Sequence, residues 1–539
     1  MSNTRKIFKW GSLAVEETLP SHTRHFLEST FPVSSSFKAS FPKGHPKLNE
    51  LKKSKLSIQT LAKFKKITGI ETFSVDPEVR ARHSIGKFYS EILNARFGKV
   101  DSVVDAVLHP KTEDEVEKIV ILASQQKTPI IPFGLGSSVT RALEAPKGGI
   151  SMDLSLLDKI IDFNAIDSTV TVQSGISGPA LESFLNEKGF TCGHFPQSFE
   201  FSTVGGWIAA KGAGQASTGY GKMEDILLAV TVVTPEGKIK SKPYPASSIG
   251  PDIFKLFLGS EGSFGVITSA TLKIRKFNPE NSTKGSFIFK DFISAVETMR
   301  EVMQGGFGKP HFFRIQDPEE TEISFHMSGL NGGKEDKFLS LIGYKSGQRS
   351  LMHVIIDGDP DYTKFVFKKI KKIAKRRGAF STGKSPVEKW LHQRYSSAYL
   401  RDSLMDEGIR IDTIETAVTW HELHDLWFNT RKYIKSFPNT ACMVHISHAY
   451  ENGANLYFIF ISPMQERNEI SSFESFHKGL IDTIHKNGGS LSHHHGIGRL
   501  LSPWMEKEIG SVSLKVLSSL KKTFDPKGIM NPGGLLGIK

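Results

Sequence analysis

The sequence predicts a fold that mixes helix and strand, α/β or α+β, spread over more than one domain. From Asp101 short β-branched runs alternate with stretches of helical periodicity, and a second mixed region runs from Lys276 to Met464. The 539 residues also exceed what one core usually supports, at roughly 100–200 residues per domain. The boundaries read from these shifts are a basic, partly helical extension at 1–95, a glycine-rich domain at 96–276, a second domain at 277–464 and a helical segment at 465–539, whose histidine-rich loop returns to the first domain.

Taken in order, "SSSFKASFPKGHPK" reads as loop and "LNELKKSKLSIQTLAKFKKI" as an amphipathic helix. "SVVDAVLHP", "TPIIPFG" and "STVTVQSG" have the β-branched character of strands. "TEDEVEKIVILASQQ" reads as a helix capped by Thr112, whose hydroxyl can accept an orphan N–H of the first turn, and "GPALESFLNEKG" and "ESFHKGLIDTIHKNGG" as further helices. "DYTKFVFKKIKKIAKRRG" sets Phe365, Phe367, Ile370 and Ile373 against a lysine-rich face; a solvated surface helix and a membrane-surface contact both fit it.

Composition narrows the function classes. The formal net charge of +13 favours anionic partners, but the positive residues are scattered and no nucleic-acid motif is present, which argues against nucleic acid. Cys192 and Cys442 are the only cysteines and lie far apart, which excludes a disulfide framework and suits a reducing compartment. No apolar run approaches the ~20 residues of a membrane-spanning helix, and the chain ends "GIK" without an S-K-L signal. The expectation is a cytoplasmic protein with peripheral membrane contact.

Two features carry chemistry. In "IIPFGLGSSV" a strand runs into Pro132, Gly134, Leu135, Gly136, Ser137 and Ser138, where glycines admit close backbone approach and N–H and hydroxyl groups can hold a pyrophosphate. The spacing is not that of a Rossmann fingerprint. More glycine turns beside small hydroxyl residues follow in "GHFPQSFEFSTVGGWIAAKGAGQASTGYG" and "SEGSFGVIT", a pattern suited to packing main chain along a flat ligand. The second feature is "GGSLSHHHGIG", three consecutive imidazoles on a glycine-flanked loop, suited to metal ligation, proton handling or anion binding.

From Val104 to Arg275 these motifs closely resemble the flavin-binding domain of the vanillyl-alcohol oxidase type. The resemblance implies an α+β fold: two α+β subdomains enclosing FAD, with a ferredoxin-like cap. It places the pyrophosphate on Pro132–Ser138 and the ribityl chain and isoalloxazine along Pro196, Ser198, Ser202, Thr203, Gly205, Gly206, Ala209, Gly212, Gly214, Ser217, Tyr220 and Gly221. The adenine side is closed by Glu261, Gly262, Gly265, Val266 and Ile267. "PFGLGSS" holds no His or Cys, so the implied FAD is non-covalent.

Two subgroups share the tail "FDPKGIMNPGG". D-2-hydroxy acid dehydrogenases carry G-H-x-G-D-G-N-x-H and E-H-G-x-G, which suit a divalent cation. Here "ISHAYENGANLYF" and "LSHHHGIG" put Tyr457 and His494 where that motif has His and Glu, which argues against a metal. From about residue 75 to 535 the chain instead resembles the alkyldihydroxyacetonephosphate synthases, in "SIGPDIFKLFLGSEGSFGVIT", "AYLRDSLMD" and "NLYFIF" as well as the histidine loop. That likeness implies exchange of the acyl chain of acyl-dihydroxyacetone phosphate for a long-chain fatty alcohol through a flavin N5 adduct, with no net redox. It implies an active site at Tyr457, His493, His494, His495, Arg314 and Arg401. Imidazolium and Arg suit the phosphate and the departing carboxylate, and a phenol or imidazole can take the proton next to the ketone. Gln197 departs from the Asp common in the family, which puts any charged role there in doubt. A homodimer is left open.

Overall fold

The computed structural model describes residues 6–12, 19, 21–40, 48 and 51–537. Strands β1 (Phe73–Ser74), β2 (Ala106–Leu108), β3 (Ile130–Phe133) and β4 (Ile150–Asp153) form a sheet in the order β1-β2-β4-β3, with β2 and β3 parallel to β4. The helix Glu113–Gln126 packs on it through Val116, Ile119, Val120 and Ala123, and Thr112 caps it by accepting the Glu115 N–H as expected. Three acidic residues in its first turn favour that end of the helix dipole.

The second subdomain follows. Strands β5 (Ile160–Asn164), β6 (Thr169–Gln173), β7 (Phe190–Thr191), β8 (Leu227–Thr234), β9 (Gly237–Lys240), β10 (Val266–Lys273) and β11 (Arg275–Lys276) supply a five-stranded antiparallel sheet, β5-β6-β10-β8-β9, and a β7–β11 pair.

The expected extension is not separate from this domain. Phe64, on the helix Ile58–Thr68, is fully buried in the core of the first sheet, and β1 is one of its strands. Residues 51–57, read as helix from their lysine spacing, precede that helix, and 35–40, read as loop, form a short one. Most of the rest of "SSSFKASFPKGHPK", 41–47, lies outside the described residues.

The cap is a seven-stranded antiparallel sheet of β12 (Thr283–Phe289), β13 (Phe312–Gln316), β14 (Ser350–Ile356), β15 (Phe380–Gly383), β16 (Ile409–Thr419), β17 (Ala441–Ile446) and β18 (Gly453–Pro463), in the order β15-β12-β14-β13-β17-β18-β16. Its first four strands, joined through the helices Phe292–Met303 and Pro360–Arg376, have the ferredoxin-like βαββαβ arrangement; the last three repeat it without a fourth strand.

Period-two alternation then decides what each face carries. Phe313, Ile315, Met352, Val354, Cys442, Val444, Ile414, Leu456 and Phe458 turn to one face and enter the main core beneath the helices. Their neighbours Arg314, His353, His445, Thr413, Glu415 and Tyr457 turn to the other. Register brings these together: Tyr457 pairs directly with Glu415 on one side and His445 on the other, and Arg314 pairs with His353.

Candidate active site

The histidine loop is built on one carboxylate. Glu415, 2% exposed on β16, accepts the backbone N–H groups of His493 (2.7 Å), His494 (3.1 Å) and His495 (2.9 Å) and the Ser492 hydroxyl (2.6 Å). Successive N–H groups aimed at one anion form a concave nest that pins a glycine-flanked backbone. Burial alone would raise the pKa of Glu415, but the neighbouring His494 and the other imidazoles hold it well below the usual carboxylate range. Lys222 donates to the His493 carbonyl at 2.5 Å, and Glu261 accepts the N–H groups of Ile497 (3.0 Å) and Gly498 (2.8 Å), so both ends of the loop are tied to the first domain.

The imidazoles stand in a linked set. His493 Nε2 meets the Tyr450 hydroxyl at 2.6 Å and its Nδ1 faces His494 Nδ1 at 2.9 Å. His448, which sequence reasoning did not single out, places Nε2 on the Gly214 carbonyl (2.9 Å) and Nδ1 on Ser447 Oγ (2.8 Å). Burial, reinforced by neighbouring positive charge, holds His448 and His493 well below the ordinary imidazole range and His495 at about 4. These three are neutral at physiological pH and able to accept a proton. Ring nitrogens of His448, His493 and His494 converge within 4.8 Å. All four ring nitrogens of His448 and His493 are already in hydrogen bonds, so a cation there would break the set.

Tyr457 lies between this loop and the cap's charged row. Its ring stacks on His445 (4.7 Å between centroids, 12° apart) and meets His494 at 5.9 Å and His495 at 5.5 Å, and its hydroxyl donates to Thr413 at 3.2 Å. Burial raises its phenol to about 12. A phenol held there keeps its proton at neutral pH and donates it in the hydrogen bond to Thr413. Behind it, His445 Nδ1 meets Glu320 at 2.9 Å, and Arg314 Nη2 donates to the same carboxylate at 2.6 Å while Arg314 Nε is buried without a hydrogen-bond partner. Arg401 stands apart on the helix Ser397–Asp406. It donates to the Lys87 carbonyl, keeps Nη2 buried and unpartnered, and makes no hydrogen bond or ion pair with the Tyr457 group.

The glycine loops fit FAD, partly for reasons other than those the sequence suggests. A small hollow opens beside Leu135, Gly136 and Ser137 with the cations Lys6, Arg82 and Lys87 in its lining, the sign of charge a pyrophosphate needs, with Lys87 Nζ donating to the Lys6, Ile7 and Lys9 carbonyls. Gly136 takes φ +73°, a left-handed conformation that disfavours other residues. A Cβ at Gly134, however, would meet Thr203 Oγ1 at 2.7 Å, so that glycine is needed for packing of loop on loop. Thr203 caps the helix Val204–Ala209, and Ser202 Oγ accepts Trp207 Nε1 at 2.7 Å, which fixes the stretch read as lying along the flavin. His194, buried against Trp207 at 4.7 Å, has neither ring nitrogen hydrogen-bonded, the orphaned polar edge that a bound polar heteroaromatic ring would satisfy. Two residues read as cofactor contacts have other partners. The Tyr220 hydroxyl donates to Asp357 of the cap at 3.0 Å, and the Glu261 carboxylate holds the histidine loop.

Comparison with known proteins agrees with this architecture. Residues 104–241 match the family model of an FAD binding domain and residues 278–535 that of the C-terminal domain of FAD linked oxidases. An alkyldihydroxyacetonephosphate synthase from Dictyostelium discoideum is 34% identical over 478 residues, 86% of this chain and 78% of the relative. This chain belongs to the alkyldihydroxyacetonephosphate synthase family. A solved structure of alkyldihydroxyacetonephosphate synthase superposes with a TM-score of 0.84 at 29% identity, covering 98% of this chain and 99% of the other. A mitochondrial D-lactate dehydrogenase (cytochrome) from Arabidopsis thaliana is 28% identical over 82% of the chain and 75% of its own length.

Gln197 lies where the first domain meets the cap. Its amide donates to the Arg394 carbonyl at 2.9 Å and accepts from Gln215 at 3.3 Å, while the Arg394 guanidinium lies over the Phe195 ring at 4.7 Å. A neutral amide there joins the first domain to the cap by donating to the Arg394 backbone, where a carboxylate oxygen would instead meet that carbonyl acceptor against acceptor.

Proposed function

We propose that this chain exchanges the acyl chain of acyl-dihydroxyacetone phosphate for a long-chain fatty alcohol, releasing a fatty acid, with FAD bound non-covalently and no net redox change. The observation that carries the reading is the facing of Tyr457 and the Glu415-held histidine loop, at the positions where hydroxy acid dehydrogenases place a cation-binding His and Glu. When bound, the flavin supplies the N5 nucleophile that the exchange needs. The protein's part is proton traffic and anion binding. A neutral imidazole of the loop takes the proton from the carbon next to the ketone, and the Tyr457 phenol returns one to substrate oxygen; such groups contribute ~10²- to 10⁴-fold each. Arg314, held by Glu320 but with Nε unpaired, and Arg401, with Nη2 unpaired, are the cations for phosphate and departing carboxylate. No helix among the described residues is long and apolar enough to cross a membrane, and contact with a lipid surface is proposed to be peripheral. The test is incubation with palmitoyl-dihydroxyacetone phosphate and labelled hexadecanol beside D-lactate with a dye acceptor. Labelled ether lipid supports the reading, and dye reduction without ether product gives the site to a dehydrogenase.

A further inference from the structure

The lysine-rich helix Pro360–Arg376 buries Val366, Ile370 and Ile373 against the cap, so most of its apolar stripe is core. Lys364, Lys368, Lys369, Lys371, Lys372 and Lys375 are all exposed, and none has an ion-pair partner among the described residues, whereas Arg376 and Arg377 both pair with Glu301.

The chain after this helix leads into β15, and an apolar tip stands on the face of the sheet opposite the helix. The Tyr344 hydroxyl donates to the Gly378 carbonyl at 2.7 Å, and the Phe380 ring lies 6.0 Å from Phe338 and 6.1 Å from Tyr344. Phe338 belongs to the helix Lys334–Leu341. With Leu341 and Ile342 it occupies i, i+3 and i+4 positions, one face, exposed at 49%, 85% and 37%. Lys334, Lys337 and Lys345 are exposed around it, and Lys290 Nζ lies 5.8 Å from the Tyr344 ring. Two acids share this helix: Asp336 is committed to Arg349 at 2.7 Å, and Glu335 is exposed.

Three large apolar side chains on one exposed face, ringed by lysines, match the two demands of a membrane surface: an apolar wedge for the headgroup boundary and cations for its phosphates. Nucleic acid would use the lysines but leave the wedge in water. We infer that this face docks on a bilayer containing anionic phospholipid, with Phe338, Leu341 and Ile342 entering the boundary and Lys334, Lys337 and Lys345 facing lipid phosphate. The inference deepens the proposed function, in which both organic substrates carry long chains, but it concerns binding and is tested without turnover.

The experiment is flotation of the FAD-loaded full chain with phosphatidylcholine vesicles, with and without phosphatidylserine, at low and high salt. Wild type is expected to float with anionic vesicles, and high salt to release much of it. Phe338→Asp with Leu341→Asp is expected to weaken binding at least about tenfold. Lys337→Glu with Lys345→Glu removes attraction worth about fivefold per lysine, beyond any added repulsion, and flattens the salt dependence. Flavin absorbance and ether formation on dispersed substrate should stay at wild-type level in both. Failure of the wild type to bind, equal binding to neutral and anionic vesicles, or wild-type binding by both variants overturns the proposal. Should the aspartate variant lose its flavin through misfolding, the lysine variant alone decides. Loss of ether formation with retained vesicle binding would strike the proposed function and leave this surface standing.

Discussion

Replacing Glu415 by Gln keeps the side-chain shape and removes the charge on which the histidine loop is built. Oε1 accepts Ser492 Oγ and the N–H groups of His494 and His495, while Oε2 accepts that of His493 at 2.7 Å. In the better of its two orientations the amide keeps the first three and turns its NH₂ on the His493 N–H, donor against donor. One buried donor left unsatisfied costs about 1–3 kcal/mol, and the surviving charge-assisted bonds fall to roughly half their strength. The sum, roughly 3–5 kcal/mol, is that of breaking a buried charged interaction. A Tm lower by roughly 3–5 °C follows for 539 residues unfolding as one unit, and a shift of ~1 Å in the imidazoles costs about 100-fold in turnover. The lowered carboxylate sets the pH window: its stabilisation is complete above the ordinary value of 4.5 and is lost only as pH falls through its much lower folded value. The Tm gap between wild type and Glu415→Gln should therefore hold from pH 8 to 5 and close only in stronger acid. Scanning calorimetry across pH, flavin fluorescence and product assay read these separately. Wild-type turnover with an unchanged Tm, or a gap that closes between pH 7 and 6, would refute the reasoning.

Other outcomes follow from the same geometry. Tyr457→Phe should keep fold, flavin and Tm yet lose roughly 100-fold or more in rate, since it removes a proton donor and little packing; a few-fold loss with a lower Tm would make Tyr457 a packing residue. Arg314→Lys should bind FAD normally and lose most turnover, because a point charge can satisfy Glu320 but offers no second planar donor to substrate; a near wild-type rate would confine Arg314 to structure. Exhaustive chelation should leave activity intact, because the ring nitrogens of His448 and His493 are held by hydrogen bonds; loss restored by zinc or manganese would contradict that arrangement. Acid precipitation should free the flavin into solution, and yellow colour remaining in the pellet would show a covalent link.

What the sequence discloses here is set by how local each signal is. Thr112 announces its helix because a cap acts over three residues, and the glycine loops and histidine run are contiguous. Glu415 is not legible in "IRIDTIETAVT": it is one acid in a β-branched strand, and its value arises only when β16 pairs with β18 and the loop some 78 residues later closes on it. The same holds for Glu320 and His445, joined across 125 positions once the helix Pro318–Met327, which carries Glu320, packs against β17. Gly134 and Gly205 are sites of close approach, and at the glycine Cβ positions the atoms approached are Thr203 and Ser174. Tyr220 and Glu261 sit inside the right motifs with side chains turned to the cap and the histidine loop, a choice of direction that spacing alone does not encode. The lysine-rich run shows the converse: its spacing fixes the helix, while the apolar tip at Leu341 depends on a contact through Tyr344 and Phe380.

The account stands on a departing carboxylate and an entering alcohol, which fixes where one oxygen atom goes. Acyl-dihydroxyacetone phosphate and hexadecanol labelled with ¹⁸O at its hydroxyl, incubated with the FAD-loaded protein and analysed by mass spectrometry, test this in one measurement. The predicted result is alkyl-dihydroxyacetone phosphate carrying the label in its ether oxygen, released fatty acid without label, and no reduced acceptor. Unlabelled ether product, label in the fatty acid, or two-electron oxidation of the substrate in place of exchange would contradict it.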